Sequence, residues 1–582
     1  DAAPNTPTQK VGDLYRSVLD AEGRKAAGTQ PIQSLLDSID SAASKKALAA
    51  SMGSLLRSGI YGPFASYVSI DAKKSDEYAV YLTQTGLTLP DRDYYLKDDE
   101  RYVELREKLL AYVGEMLEIS GGDSDDAQVV LDLEMAIADA QWTNVENRDP
   151  DKTYNATTPE QLAATLDGFD WDGYSQACGM DGQPKYVVRQ PDYLEFAGRW
   201  FQENSLDDLK SYMRFRIIDA YADSLSPDLE KKHFDFHQTA VNGISEQEEP
   251  WKRGVNITGS VLGEVVGKLY VDKYFAPEAK QKMVSLVDNL KVAFNGRINQ
   301  LEWMGEGTKK QAVEKLGKFT TKIGYPDEWK DYSKLVIADV PLATNLIAAS
   351  QFEHERELNK LGGPIDRNEW HMTPQTINAY YNPTMNEIVF PAAILQPPFF
   401  NLNADDAVNY GGIGAVIGHE ISHGFDDKGS KYDGDGNLRN WWTTTDRSEF
   451  EGRAGNLVEQ YNQYAPFDDM NVNGELTLGE NIGDLGGLSV AYQAYRLSLG
   501  EKEAPIIDGM TGDQRFFLGW SQVWRRLYRE AALRKRLLTD PHSPSEYRVN
   551  GIVRNMDAWY DAFGISEDDD LFLEPKDRVR IW

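Results

Sequence analysis

Apolar residues recur at every third or fourth position through most of the first half of this chain. Residues 12–25 (GDLYRSVLDAEGRK), 31–59 and 102–120 (YVELREKLLAYVGEMLEIS) all carry this period, which lines apolar side chains along one helix face. Residues 11–145 therefore read as successive helices. TTPEQLAATL adds a start signal, Thr158 with Pro159 and Glu160 behind it, the arrangement that opens a helix. The period continues through 205–225 and 278–304. From about Ile323 the character changes. INAYYNPTMNEIVFPAAILQPPFF alternates, is aromatic and is punctuated by proline, which predicts short strands and turns. The pattern predicts a mainly α chain with a small α+β region in its C-terminal half.

The helical segment that follows, YGGIGAVIGHEISHGFDD, holds His419, Glu420 and His423. Residues four apart share a helix face, so the two imidazoles can aim at one point. Glu420 lies one residue round, where a carboxylate can meet a metal-bound water. Two histidines need at least one further protein ligand, with one position left open for water or substrate. ELTLGENIGDLGGLSVAYQAY offers Glu480, with Asp484 at i+4 placed to orient a ligating histidine. An ordinary acidic helix start is the plainer reading, and the pairing with H-E-x-x-H outweighs it.

The remaining histidines carry less. His233 and His237, in KKHFDFHQTA, share the i,i+4 spacing but lack the intervening glutamate and a matching E-x-x-x-D, so they read as surface or core residues. His354 and His371 have no supporting context. His542, in LLTDPHSPSEYRVNG with Arg548 six residues on, sits in a proline-rich loop that reads as facing a cleft.

A length of 582 residues exceeds a single core and predicts two or more domains. Lys and Arg total 61 against 93 Asp and Glu, a net charge of −32. Such a field repels nucleic acid and anionic membrane, and neither is expected as a partner. Cys178 is the only cysteine, so no intrachain disulfide forms. No apolar run approaches the ~18 residues of a membrane span. DAAPNTPTQK has neither a basic region nor an apolar core, and a signal peptide is expected to be absent or already removed. DGDGN, at 433–437, resembles the start of a calcium loop, but Leu438 and Thr444 stand where that loop needs Gly and Glu. It reads as a turn.

In order along the chain, INAYYN, VFPAAILQPPFF, NYGGIGAVIGHEISHGFDD, GENIGDLGGL, FFLGWSQVW, DPHSPSEYRVNG and RVRIW resemble the neprilysin (M13) family of zinc metallopeptidases. The resemblance is strongest from about residue 320 to Trp582 and remains visible upstream in WMGEGTKKQAVEKL, KIGYPDEW and VGDLYRSVLD. It implies one Zn2+ ion held by His419, His423 and Glu480, with Glu420 as general base and then proton donor. Asp484 matches the aspartate that holds a ligand histidine, and Asp426 is assigned similar work. Asn378 and Ala379 match residues that hold the substrate main chain on an edge strand. His542 and Arg548 match the pair that contacts the substrate carbonyl and the transition-state oxyanion. Ile394, Phe399, Val416 and Trp524 match the apolar pocket for the residue after the scissile bond.

The resemblance also implies architecture: a thermolysin-like, zincin-type catalytic domain (316–582) facing a mainly helical domain (1–315) across a central cavity. Such a cavity admits oligopeptides and excludes folded proteins. Two departures bear on function. The family's further N-terminal segment is not found before GDLYRSVLD. In some relatives its arginines bind a free C-terminal carboxylate, so a peptidyl-dipeptidase activity stays open beside internal cleavage. With one cysteine and RVRIW where vertebrate relatives end C-x-x-W, the chain resembles the bacterial type. The expected location is periplasmic or secreted, with the cytoplasm as alternative. An inactive peptide-binding homologue is disfavoured because every ligand and the base are present.

Overall fold

The computed structural model describes residues 2, 3 and 5–582. Two large apolar cores account for most of the buried side chains. The first runs from Ile32 to Val241, with Ala343 added; the second runs from Ala279 to Trp582. Apolar residues from Ala279 to Ala312, on the N-terminal side of the division expected at 315, pack with this second core.

Helices dominate the first core, where the expected periods lie: Glu100–Ile119, Leu206–Tyr221 and others bury one face each. Thr158 caps its helix as expected, accepting from the Gln161 N–H. One expectation fails here. Residues 11–145 are not all helical: β1 (Phe64–Asp71) and β2 (Lys74–Gln84) form an antiparallel hairpin. With β3 (Asn155–Thr157) and β4 (Tyr186–Val188) they make a sheet of order β1-β2-β4-β3. The β-branched and aromatic run EYAVYLT in β2 favours a pleated surface over a helix, and its lack of clean alternation hid it among the helical segments.

The second core holds the short strands expected after Ile323. β5 (Thr320–Gly324) pairs parallel with β7 (Glu387–Pro391), and β6 (Tyr380–Asn382) pairs antiparallel with β7 on its other side. The central strand β7 is buried throughout, and β6 is left as the free edge. Against this sheet packs helix Ala415–His423, which crosses helix Leu478–Leu499.

Polar contacts tie the two cores together. Arg148 forks onto Asp427 at 2.8 and 3.0 Å, the Leu438 N–H donates to the Ala72 carbonyl at 2.6 Å, and Lys535 Nζ donates to Asn242 at 3.0 Å. The 433–437 segment is the turn expected of it: Asp433 Oδ1 accepts from the N–H groups of Asp435 and Asn437. Cys178 is fully buried, and burial pushes its thiol up to about 11, which fits a packing role.

Candidate active site

Helix Ala415–His423 is buried along almost its whole length. Its crossing with Leu478–Leu499 is unusually close. A Cβ added to Gly418 would lie 2.5 Å from the Gly487 carbonyl oxygen, and one added to Gly487 would lie 2.4 Å from the His419 nitrogen. Only glycines allow this approach, so the distance between the histidine helix and the Glu480 helix is set by main chain touching main chain.

That crossing brings His419, His423 and Glu480 together. Glu480 Oε2 lies 3.1 Å from His419 Nε2, and Oε1 lies 3.5 Å from His423 Nε2. Ligands on a tetrahedral zinc, at ~2.0–2.1 Å from the metal, sit roughly 3.3–3.5 Å apart. Each histidine is turned by a carboxylate on its other nitrogen: His419 Nδ1 by Asp484 at 2.8 Å, and His423 Nδ1 by Asp426 at 2.8 Å. Both Nε2 atoms are thereby aimed at one point. Burial opposes charge on His419, but Asp484 and Glu480 overcome it and raise its pKa to about 10. The pocket therefore favours positive charge. Glu480 Oε2 is buried and, among the described residues, faces imidazole nitrogens without a well-formed hydrogen bond. These residues fit a zinc ion.

Glu420 is 5% exposed. Burial raises its carboxyl above the ordinary glutamate range, with His419 and His423 pulling the other way. Arg548 forks onto Asp484 through Nε at 2.6 Å and Nη2 at 2.7 Å, and its guanidinium stacks 3.9 Å above the Trp524 ring. His542 Nε2 faces Glu480 Oε2 at 3.2 Å, and its Nδ1 is held by Asp540 at 2.7 Å.

One cavity of about 630 Å³ is lined by the three candidate ligands, Glu420, Asp484, His542 and Arg548, then Asn378, Ala379, Ile394, Phe399, Val416 and Trp524; Asp426 stands behind His423, outside that lining. Asn378 and Ala379 lead directly into edge strand β6. Sequence reasoning missed Asp540, whose nearness to His542 in TDPH was the available signal. It also missed Arg526 and Arg536, which line the cavity, and Lys315. Lys315 Nζ donates to the carbonyls of Gly424, Gly429 and Tyr432 at 2.6–2.7 Å. It thereby holds the loop that carries Asp426, and no local pattern announces it.

Family models described as Peptidase family M13 match residues 1–326 and 378–579. The chain belongs to peptidase family M13. It is 33% identical over 531 residues to Neprilysin-11 of Caenorhabditis elegans, covering 86% of this chain and 62% of that protein. It is 30% identical over 578 residues to the Neutral endopeptidase of Lactobacillus helveticus, covering 98% and 87%. Among solved structures it resembles the inhibitor complex of the Mycobacterium tuberculosis zinc metalloprotease ZMP1, with 49% identity, a TM-score of 0.97, and 100% and 90% coverage. Against the open state of the same protease, at 49% identity and 100% and 92% coverage, the TM-score is 0.74. With identity equal, that gap is one of conformation: this M13 chain has the arrangement of the inhibitor-bound form.

Proposed function

We propose that this M13 peptidase is a zinc-dependent endopeptidase of oligopeptides that prefers a large apolar residue after the scissile bond. The reading rests on one observation: a buried carboxylate, three clustered ligand atoms and an apolar wall open into a single cavity. Zinc bound by His419, His423 and Glu480 supplies a Lewis acid that polarises a carbonyl and acidifies water.

The chain's own groups do the rest. Glu420 takes the proton of the attacking water, helped by a burial-raised pKa that makes it a stronger base, and later delivers a proton to the leaving amine. His542 Nε2, fixed through Nδ1 by Asp540, donates to the developing oxyanion. Arg548 commits two nitrogens to Asp484 and so holds His419 in place, while Nη1, free of hydrogen bonds among the described residues, is left for the substrate. Asn378 and Ala379 receive the substrate main chain beside β6, whose outer edge is unpaired among the described residues. Ile394, Phe399, Val416 and Trp524 receive the apolar side chain.

A second reading is release of C-terminal dipeptides. Arg526 and Arg536 favour it: both line the cavity, and Arg526 pairs with no acidic side chain among the described residues. Cleavage mapping by mass spectrometry on a peptide length series, with free and blocked C-termini, separates the two. Internal cleavage of blocked peptides before large apolar residues supports the endopeptidase. Cleavage confined to free C-termini assigns the second activity. A zinc-loaded protein that cuts neither series overturns both.

A further inference from the structure

A second cluster of metal-ligating side chains lies in the first core, away from the cavity. Helix Pro227–His233 continues directly into a π-helical segment, Phe234–Ala240. The junction sets His233 and His237 side by side, ring centroids 4.3 Å apart. Asp219, near the end of helix Leu206–Tyr221, reaches them from across the packing interface, with Oδ1 2.8 Å from His237 Nε2. Ligand atoms of Asp219, His233 and His237 all lie within 4.8 Å of one another.

Three features set this apart from an ordinary histidine–aspartate pair. The His233 ring is half-buried, faces another imidazole, and makes no hydrogen bond among the described residues. Asp219 Oδ2 likewise accepts none there, because Tyr112 and His237 both bond Oδ1. And His237 is braced: Tyr112 stacks on Phe236 at 4.7 Å, and both rings meet His237 edge-on. Asp223, one helical turn beyond Asp219, adds a second negative charge acting on His233.

We propose that Asp219, His233 and His237 bind a second metal ion of the borderline d-block class, zinc foremost. Two imidazoles and one carboxylate suit that class, whereas calcium and magnesium require mostly oxygen ligands. A tetrahedral ion needs ligand atoms roughly 3.3–3.5 Å apart, from bonds of ~2.0–2.1 Å. The present spacing is reached by opening the 2.8 Å contact and closing the widest one, movements within side-chain reach. Water fills the fourth position.

The ion fastens helix Leu206–Tyr221 to the π segment. That segment reaches the second core: the His237 carbonyl accepts from Asn242 Nδ2 at 2.6 Å, and Asn242 Oδ1 accepts from Lys535 on helix Glu530–Thr539, just before His542. The second ion is thus a clip at the junction of the two cores, with no part in bond cleavage.

The test is metal stoichiometry, read without activity. The full chain is loaded with excess Co2+, desalted, and measured by inductively coupled plasma mass spectrometry and visible absorption. Wild type is expected to hold two equivalents. A His419→Ala/His423→Ala double variant is expected to hold one, with the weak d–d bands of nitrogen and oxygen ligation. Adding His233→Gln should remove that last equivalent; this change sacrifices no hydrogen bond, so folding, checked by circular dichroism, is retained. Asp219→Asn supplies an independent second variant. One equivalent in wild type, or an unchanged equivalent after His233→Gln, overturns the proposal. Neither result bears on whether the first cavity cleaves peptides.

Discussion

Each half of the chain carries two histidines four residues apart on a helix, and the two pairs are held differently. His419 and His423 each have Nδ1 taken by an aspartate, so both Nε2 atoms point at Glu480. His237 has its carboxylate on Nε2, and His233 has none. The first pair opens into a cavity beside a buried glutamate; the second packs among aromatic rings. Spacing alone therefore distinguishes nothing. A row of carboxylates behind the imidazoles and a buried glutamate beside them mark the pair proposed to do the chemistry.

The sharpest way to break this comparison is to remove the base. Glu420→Gln should lower kcat by about 10²–10⁴, with zinc content unchanged by mass spectrometry; wild-type turnover would leave the two pairs equivalent. Next is the proposed oxyanion donor. His542→Ala should cost roughly 10²–10³ in kcat, again with metal retained, and a change confined to KM would move His542 to substrate binding. Removing a carboxylate from behind a ligand gives a smaller effect: Asp484→Asn should weaken zinc affinity by about 10–100-fold, read by competition with a chromogenic chelator.

The mildest probe is pH. Glu420 must be ionised to accept a proton, so activity is present above its pKa and lost as pH falls through it. Because burial raises that pKa, the acid limb of kcat/KM should lie above the ~4.3 of an ordinary glutamate. An acid limb at or below that value would mean that burial does not set the pKa of Glu420 in the metal-loaded enzyme.

Much of the site was legible because its chemistry is local. H-E-x-x-H and E-x-x-x-D each place two groups on one helix face, and the fixed order of longer motifs tied the two helices into one centre. His542 and Arg548 were legible through a single loop. What stayed hidden depends on contacts across the chain. Lys315 meets carbonyls more than a hundred residues away, and its own segment reads as a plain amphipathic helix. Asp219 and His237 come from different helices, so KKHFDFHQTA alone gave no third ligand. The β1–β2 hairpin was hidden for the opposite reason: its signal is local, but β2 buries a continuous run rather than alternating, so its period does not separate it from the neighbouring helices.

The glycine contact at the heart of the site has a consequence for kinetics. Where soft side chains separate two helices, drawing off a bound ion lets the helices drift, and its return must wait for them to settle. Here Gly418 and Gly487 leave no such padding. Metal exchange is then expected to be paced by passage through the cavity and loss of hydration, and a chelated enzyme to which zinc is returned should regain activity in a single exponential, without a slow phase.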